Sequence, residues 1–419
     1  MGKKDTQRHT EADEMVLPPP GLDERSLRGA IGFIEARWGE LERVCHEDLG
    51  TLIGLPNPYF TASKNDKDGF TLNQLHYWDT YFIARGLIGT KREAQAYEQA
   101  ENLLHLLKRF QVIPAGNRTY LTSRSQPPIL TSLLLELHEH KGSEEWLAPR
   151  IELAKQEYRD VWMSRSHPHW RQVFAGLSRN YDANQLSELA EDESGWGYTT
   201  RFNGSALDFI PIDLNALLYK YETDFMKAAL ILGKPKEAQE WKATAETRRR
   251  TIDEYLWNQS AGFYFDYNYQ TGKSSNIWSL ASYYALWCGL ASEEQAARLV
   301  EHIEKFEMYG GLCATLERPA VSERLPAQWS YPNGWAPLHL IAIEGLARYG
   351  YEDVAARISR RWLHTCLEVF NRQGDFYQKY NVVDIDAPPK DGLNSNQTGF
   401  AWTNAVFTIL ARDYKDAVL

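Results

Sequence analysis

Gln328-Trp329-Ser330-Tyr331-Pro332-Asn333-Gly334-Trp335-Ala336-Pro337 sets two indoles, a tyrosine and two amides around two prolines, immediately ahead of an apolar-periodic segment at 336–349. Indole faces pack against the C–H faces of pyranose rings, amides read ring hydroxyls, and the prolines hold the loop so that little entropy is lost on binding. A sugar is the ligand class this composition fits best. The competing reading is that these aromatics are ordinary core.

Working outward, apolar residues recur at i, i+3, i+4 and i+7 in segments 27–48, 79–88, 91–110, 127–140, 144–163, 212–232, 235–256, 275–290, 293–306, 336–349, 352–371 and 400–414. This predicts about twelve helices and an all-α fold. Stretches 164–203 and 373–399 are far longer than ordinary helix connections, which points to loops with a function. Gly262-Phe263-Tyr264-Phe265-Asp266-Tyr267 reads as a hairpin on one rim. No sequence repeat and no linker composition interrupts the chain, so residues 21–419 are expected to form one domain. Residues 1–20, polar and then proline-rich, are expected to be a poorly ordered tail.

The tail has no apolar signal core, and no other stretch approaches the ~18 uninterrupted apolar residues of a membrane span. A cytoplasmic location is expected, with no membrane partner. Cys45, Cys288, Cys313 and Cys366 are widely spaced and read as reduced thiols rather than as a disulfide frame or zinc site. A formal charge of −10 with interspersed signs argues against nucleic acid as a partner. Neither a phosphate-binding nor a dinucleotide glycine motif occurs, so no cofactor is expected. His167-Pro168-His169 lacks acidic or thiol neighbours at ligand spacing, so no metal is expected either.

Six blocks in order then carry a resemblance. They are Tyr77-Trp78-Asp79-Thr80-Tyr81-Phe82, Gly116-Asn117-Arg118 through Ser123-Arg124-Ser125-Gln126-Pro127-Pro128, Glu193-Ser194-Gly195-Trp196-Gly197 through Arg201, Pro211-Ile212-Asp213-Leu214-Asn215, the Gln328–Pro337 stretch, and Gln378-Lys379-Tyr380 with Gly399-Phe400-Ala401-Trp402-Thr403-Asn404. This series resembles the α,α-trehalases, glycoside hydrolase family 37. The resemblance implies an (α/α)6 toroid of the six-hairpin glycosidase type, with long loops at one rim and a sugar pocket at that mouth. It also implies substrate-binding roles for Trp78, Asp79, Asn117, Arg124, Gln126, Gly195, Trp196, Arg201, Gln328, Trp329, Asn333, Trp335 and Trp402. Arg165, Arg171 and Arg179 fall where the family places a further sugar-binding arginine, and the sequence does not choose among them.

An inverting glycosidase needs one carboxyl to protonate the departing oxygen and another to deprotonate the attacking water. The resemblance puts the acid at Gly197 and the base at Gln378. Glycine has no side chain and an amide does not titrate usefully. Where the family has a "PGGRF" arginine, this chain has Asp66-Lys67-Asp68-Gly69-Phe70, and its lid segment at 386–397 is built differently. The expectation is a protein that binds trehalose or a related glucoside and hydrolyses it poorly or not at all. Two alternatives stay open: trehalose hydrolysis with relocated carboxylates, or epimerase- or lyase-type chemistry on Asp79, Glu193 or Asp213.

Overall fold

The computed structural model describes residues 22–64, 73–318, 327–392 and 395–415. The expected tail at 1–20 and the Asp66–Phe70 departure lie outside the described residues. Thirteen α-helices run through the described chain: α1 Glu24–Leu41, α2 Tyr77–Leu87, α3 Glu93–Phe110, α4 Leu130–Lys141, α5 Glu144–Glu157, α6 Ser187–Glu193, α7 Ile212–Ile231, α8 Pro235–Tyr255, α9 Tyr284–Trp287, α10 Glu293–Glu301, α11 Ala336–Arg348, α12 Glu352–Gln373 and α13 Ala401–Asp413.

Two kinds of helix are present, and their sequences explain why. In α2 every residue except Arg85 is buried, and α11 and α13 are nearly as enclosed. Such helices are apolar on all sides and belong inside a protein. By contrast α8 buries Ala238, Trp241, Ala245, Arg248 and Ile252, one stripe at spacings of three and four, and exposes the rest. Proline at its first position and the Ser292–Gln295 capping box that starts α10 satisfy helix ends locally.

The enclosed helices form a closed inner ring in the order α2, α4, α7, α9, α11, α13, with α13 packing back on α2. The striped helices lie outside it: α3 on α2, α5 on α4, α8 on α7, α12 on α11 and α1 on α13. This is the (α/α)6 arrangement. Ring closure demands a close approach, since a Cβ on Gly86 of α2 would stand 2.7 Å from Ala405 Cβ of α13.

One expected helix is much shorter than its pattern. Over 275–290 the helix is confined to a 3-10 turn at Leu280–Tyr283 and α9. The preceding backbone is used elsewhere: Leu316 N–H donates to Trp278 O and Leu280 N–H donates to Ala314 O, around a bridge between Ser279 and Thr315. The long 164–203 connection contains a small hairpin, Gln172–Phe174 with Leu177–Ser178, and α6. The 262–267 expectation holds in part, since Phe263–Tyr264 pairs with Trp257–Asn258 while Tyr267–Asn268 pairs with Phe209–Ile210 and Lys273–Ser274.

Candidate functional site

Residues from the ends of the inner helices and the loops between them converge at one mouth of the ring. A short antiparallel ladder, Asn333–Trp335 with Lys379–Asn381, ties the loop before α11 to the loop after α12 and places Trp335 opposite Lys379. Gln378 is thereby fixed beside the tryptophans, with its backbone carbonyl accepting from Trp402 Nε1 at 3.2 Å.

Five indoles meet here. Trp329 and Trp335 stack face to face with ring centroids 3.7 Å apart. Trp78 and Trp196 lie 5.8 and 5.7 Å from Trp329, and Trp402 stands edge-on to Trp335 at 5.8 Å. All five are buried, Trp335 completely. Their faces are thus turned largely on one another. Trp335 bears on polar neighbours: its Nε1 donates to Gln328 O at 3.1 Å, and Lys379 Nζ lies 5.5 Å over its ring. Burial pulls the Lys379 ammonium down to about 8, with Asp391 opposing the shift from 3.7 Å.

The remaining residues divide into those that face the indoles and those whose bonding is already complete. Asp79 is buried in the first turn of α2, and burial raises its carboxyl to about 7. Arg124 reaches Asp192 Oδ2 through Nη2 at 3.3 Å and Asp182 Oδ2 through Nη1 at 3.5 Å. Gln126 Oε1 accepts from Trp78 N–H at 3.0 Å. Gln328 Nε2 donates to Gly197 O at 3.3 Å. Asn333 holds the lid segment, its Oδ1 accepting from Lys390 N–H at 2.9 Å and its Nδ2 donating to Lys390 O at 2.7 Å.

Three of the residues expected to contact substrate also make structural contacts within the protein. Arg201 is completely buried between two carboxylates, with Nη1 and Nη2 on Asp213 at 2.6 and 2.7 Å and Nε and Nη2 on Asp266 at 2.7 Å. Four of its five N–H donors are thus engaged by these two carboxylates. Asn117 uses both ends of its amide on backbone, accepting from Leu75 N–H and donating to Ile53 O, each at 2.7 Å. Gly195 has φ +79°, and a Cβ there would meet the Trp78 ring at 2.9 Å, so it lets the loop lie on that indole.

The three undecided arginines are also engaged. Arg171 pairs with buried Glu193, Arg179 donates to the carbonyls of Trp170 and Leu207, and Arg165, itself exposed, pairs with the buried Asp160. Glu193 further accepts from Ser125 N–H and Tyr181 N–H, at 2.8 and 2.7 Å. Glu193 and Asp213 are therefore committed to buried ion pairs, and of the three carboxylates suggested by sequence only Asp79 is without one among the described residues. His167 stacks on Trp170 at 3.9 Å, and no group of three metal-ligating side chains is found among the described residues.

A family model described as trehalase matches residues 68–194 and 169–414. A periplasmic trehalase of Xanthomonas campestris is 31% identical over 460 residues, covering 98% of this chain and 78% of that one. This chain belongs to the trehalase family. A cytosolic neutral trehalase of Kluyveromyces lactis is 30% identical, and the match covers 89% of this chain but only 63% of that relative's length. The structure aligns with a neutral trehalase of Saccharomyces cerevisiae at a TM-score of 0.74 and 28% identity, covering 85% of this chain and 73% of the other. A GH63 mannosylglycerate hydrolase from Thermus thermophilus aligns at 0.66 with 17% identity, covering 91% and 99%, and shares the fold.

Gly197 and Gln378 are the residues at the two positions where the sequence resemblance leads one to expect the acid and the base. The structure adds a residue that sequence reasoning missed. A Cβ on Gly197 would lie 2.7 Å from Asp192 Oδ1. Asp192 lies in the last turn of α6, and its carbonyl accepts from Gly195 N–H at 3.1 Å, so the chain curls back and brings the carboxyl across from Gly197. Its only trace in the sequence is membership of the acidic run Glu191-Asp192-Glu193.

Proposed function

We propose that this trehalase-family protein binds trehalose or a related glucoside at the tryptophan-lined mouth and hydrolyses it poorly or not at all. The observation that carries the reading is a group of buried polar atoms without hydrogen-bond partners among the described residues: Trp78 Nε1, Trp196 Nε1, Arg124 Nε and Gln397 Oε1. Buried polar groups are nearly always paired, and leaving one unpaired costs about 1–3 kcal/mol. A polyhydroxyl ligand supplies both donors and acceptors for such a set. Asp79, held near neutrality by burial, adds a carboxyl that can accept or share a hydroxyl proton.

Weak hydrolysis is argued from Gly197 and Gln378, since positioned proton transfer contributes roughly 10²–10⁴ in rate for each group. A cytoplasmic location is supported by the four free thiols, although the relatives include both cytosolic and periplasmic trehalases. No helix among the described residues is long and apolar enough to cross a membrane.

The test is a titration with trehalose and a panel of α- and β-glucosides, reading heat of binding, tryptophan fluorescence and free glucose together. Saturable binding with negligible glucose release is expected. A flat response to every glucoside at millimolar concentration would sink the binding reading, and rapid glucose release would sink the claim of weak hydrolysis.

A further inference from the structure

The loss of a carboxyl at 197 is accompanied by another carboxyl at the same place. Asp192 Oδ1 stands 2.7 Å from where a side chain at 197 would leave the backbone. The Asp192 side chain remains 36% exposed, so one face is accessible, and Arg124 fixes the other from 3.3 Å. The unpartnered indole nitrogens of Trp78 and Trp196 belong to the same corner, where Gly195 presses on the Trp78 ring and Trp196 immediately precedes Gly197. We propose that Asp192 is a relocated proton donor, delivering to a bound glycosidic oxygen the proton that no side chain at 197 can supply. The proposal rests on the glucoside-binding reading.

Burial raises the Asp192 carboxyl above its ordinary range, with Asp182 pushing the same way and Arg124 opposing. Glu191 and Tyr198 are the other titratable groups that interact with it. A donor must hold its proton at the working pH, and this environment favours that.

A base is still missing, because the Gln378 amide cannot accept a proton from water. Azide anion needs no base. In its presence an azide nitrogen bonds to the anomeric carbon while the carbon–oxygen bond breaks. The electron pair goes to the departing glucosyl oxygen, which takes the Asp192 proton. β-Glucosyl azide and glucose are released, and solvent reprotonates Asp192.

The experiment compares trehalose with 2,4-dinitrophenyl α-glucoside, whose leaving group requires no proton, both with sodium azide at pH values where azide is the anion. Asp192→Asn is expected to lower azide-dependent turnover of trehalose by about 100-fold or more while changing the dinitrophenyl substrate by less than about threefold. In the unaltered protein the trehalose rate alone should fall as pH rises through the donor's titration, a comparison that stands even if the variant folds poorly. Equal losses on both substrates, or no glucosyl azide from trehalose that calorimetry shows to be bound, would overturn the assignment. Absence of trehalose binding would remove the glucoside reading, and the proton-donor assignment with it.

Discussion

At the residue scale, a single substitution can test positions 197 and 378 separately. If Asp192 donates the proton, only the base is absent, so Gln378→Glu alone should raise glucose release from trehalose by about 10²-fold or more. Adding Gly197→Asp should not raise it further, because the new side chain would start 2.7 Å from Asp192 Oδ1 and two such carboxyls cannot both ionise freely. Steady-state glucose assays decide it: a silent single variant beside an active double variant would show that position 197 itself is required. Asp79 yields a second expectation. Its folded pKa, about 7, lies above the ordinary 3.8, so the folded state binds the proton more tightly than the unfolded chain does. This contribution to stability is fully present below the unfolded value and is lost as pH rises through about 7. Asp79→Asn should therefore narrow the difference in Tm between pH 5 and pH 8, and should weaken glucoside binding. An unchanged Tm difference would show that Asp79 is not the group responsible.

Elements differ in how plainly they could be read. The stripe of Ala238, Trp241, Ala245, Arg248 and Ile252 made α8 legible because one face meets the ring and the other meets water. Helix α9 was overestimated, since its apolar pattern extends into backbone that pairs with residues 314–316, a partner no local window contains. Helix α6 was missed, being only seven residues long and largely acidic. The site followed the same rule. Its indoles were legible through their local motif, whereas Asp192 matters through a turn that opposes it to Gly197, and the ion triad of Arg201 with Asp213 and Asp266 is assembled by the fold from separate stretches. That ion triad predicts that Arg201→Leu will destabilise the protein by about 3–5 kcal/mol, by leaving two buried carboxylates uncompensated. Trp335 likewise has no exposed surface, so Trp335→Ala should cost about 3–5 kcal/mol of stability as well as affinity. Urea denaturation measures both, and a loss below about 1 kcal/mol in either would contradict the packing described.

For the whole molecule, the ring is the unit of stability. Gly86→Leu should wedge α2 from α13 and cost at least about 1–3 kcal/mol, visible as a lowered Tm with the secondary structure otherwise retained below the transition. The same change on a surface glycine with no neighbour within 4 Å, such as Gly29 on α1, should cost far less. The general architecture was legible from helix periodicity and from the family blocks. The closeness of its seam was not, because a glycine in a helix shows no sign of what will press against it.

That seam sets a schedule for folding. Arg412 in the last turn of α13 donates to the carbonyl of Ile88 at the end of α2, across 324 residues of chain. Contacts of such long span are won only after a large loss of loop entropy, and chains that depend on them fold slowly. Until α13 is in place, the apolar flank of α2 that it will cover is open, and that of α11 joins it once residues 336–348 are made, so a nascent chain carries a sticky edge on α2 through most of its synthesis. The most vulnerable period for this protein is therefore before α13 docks, and its yield in a cell should follow chaperone supply more closely than its final stability.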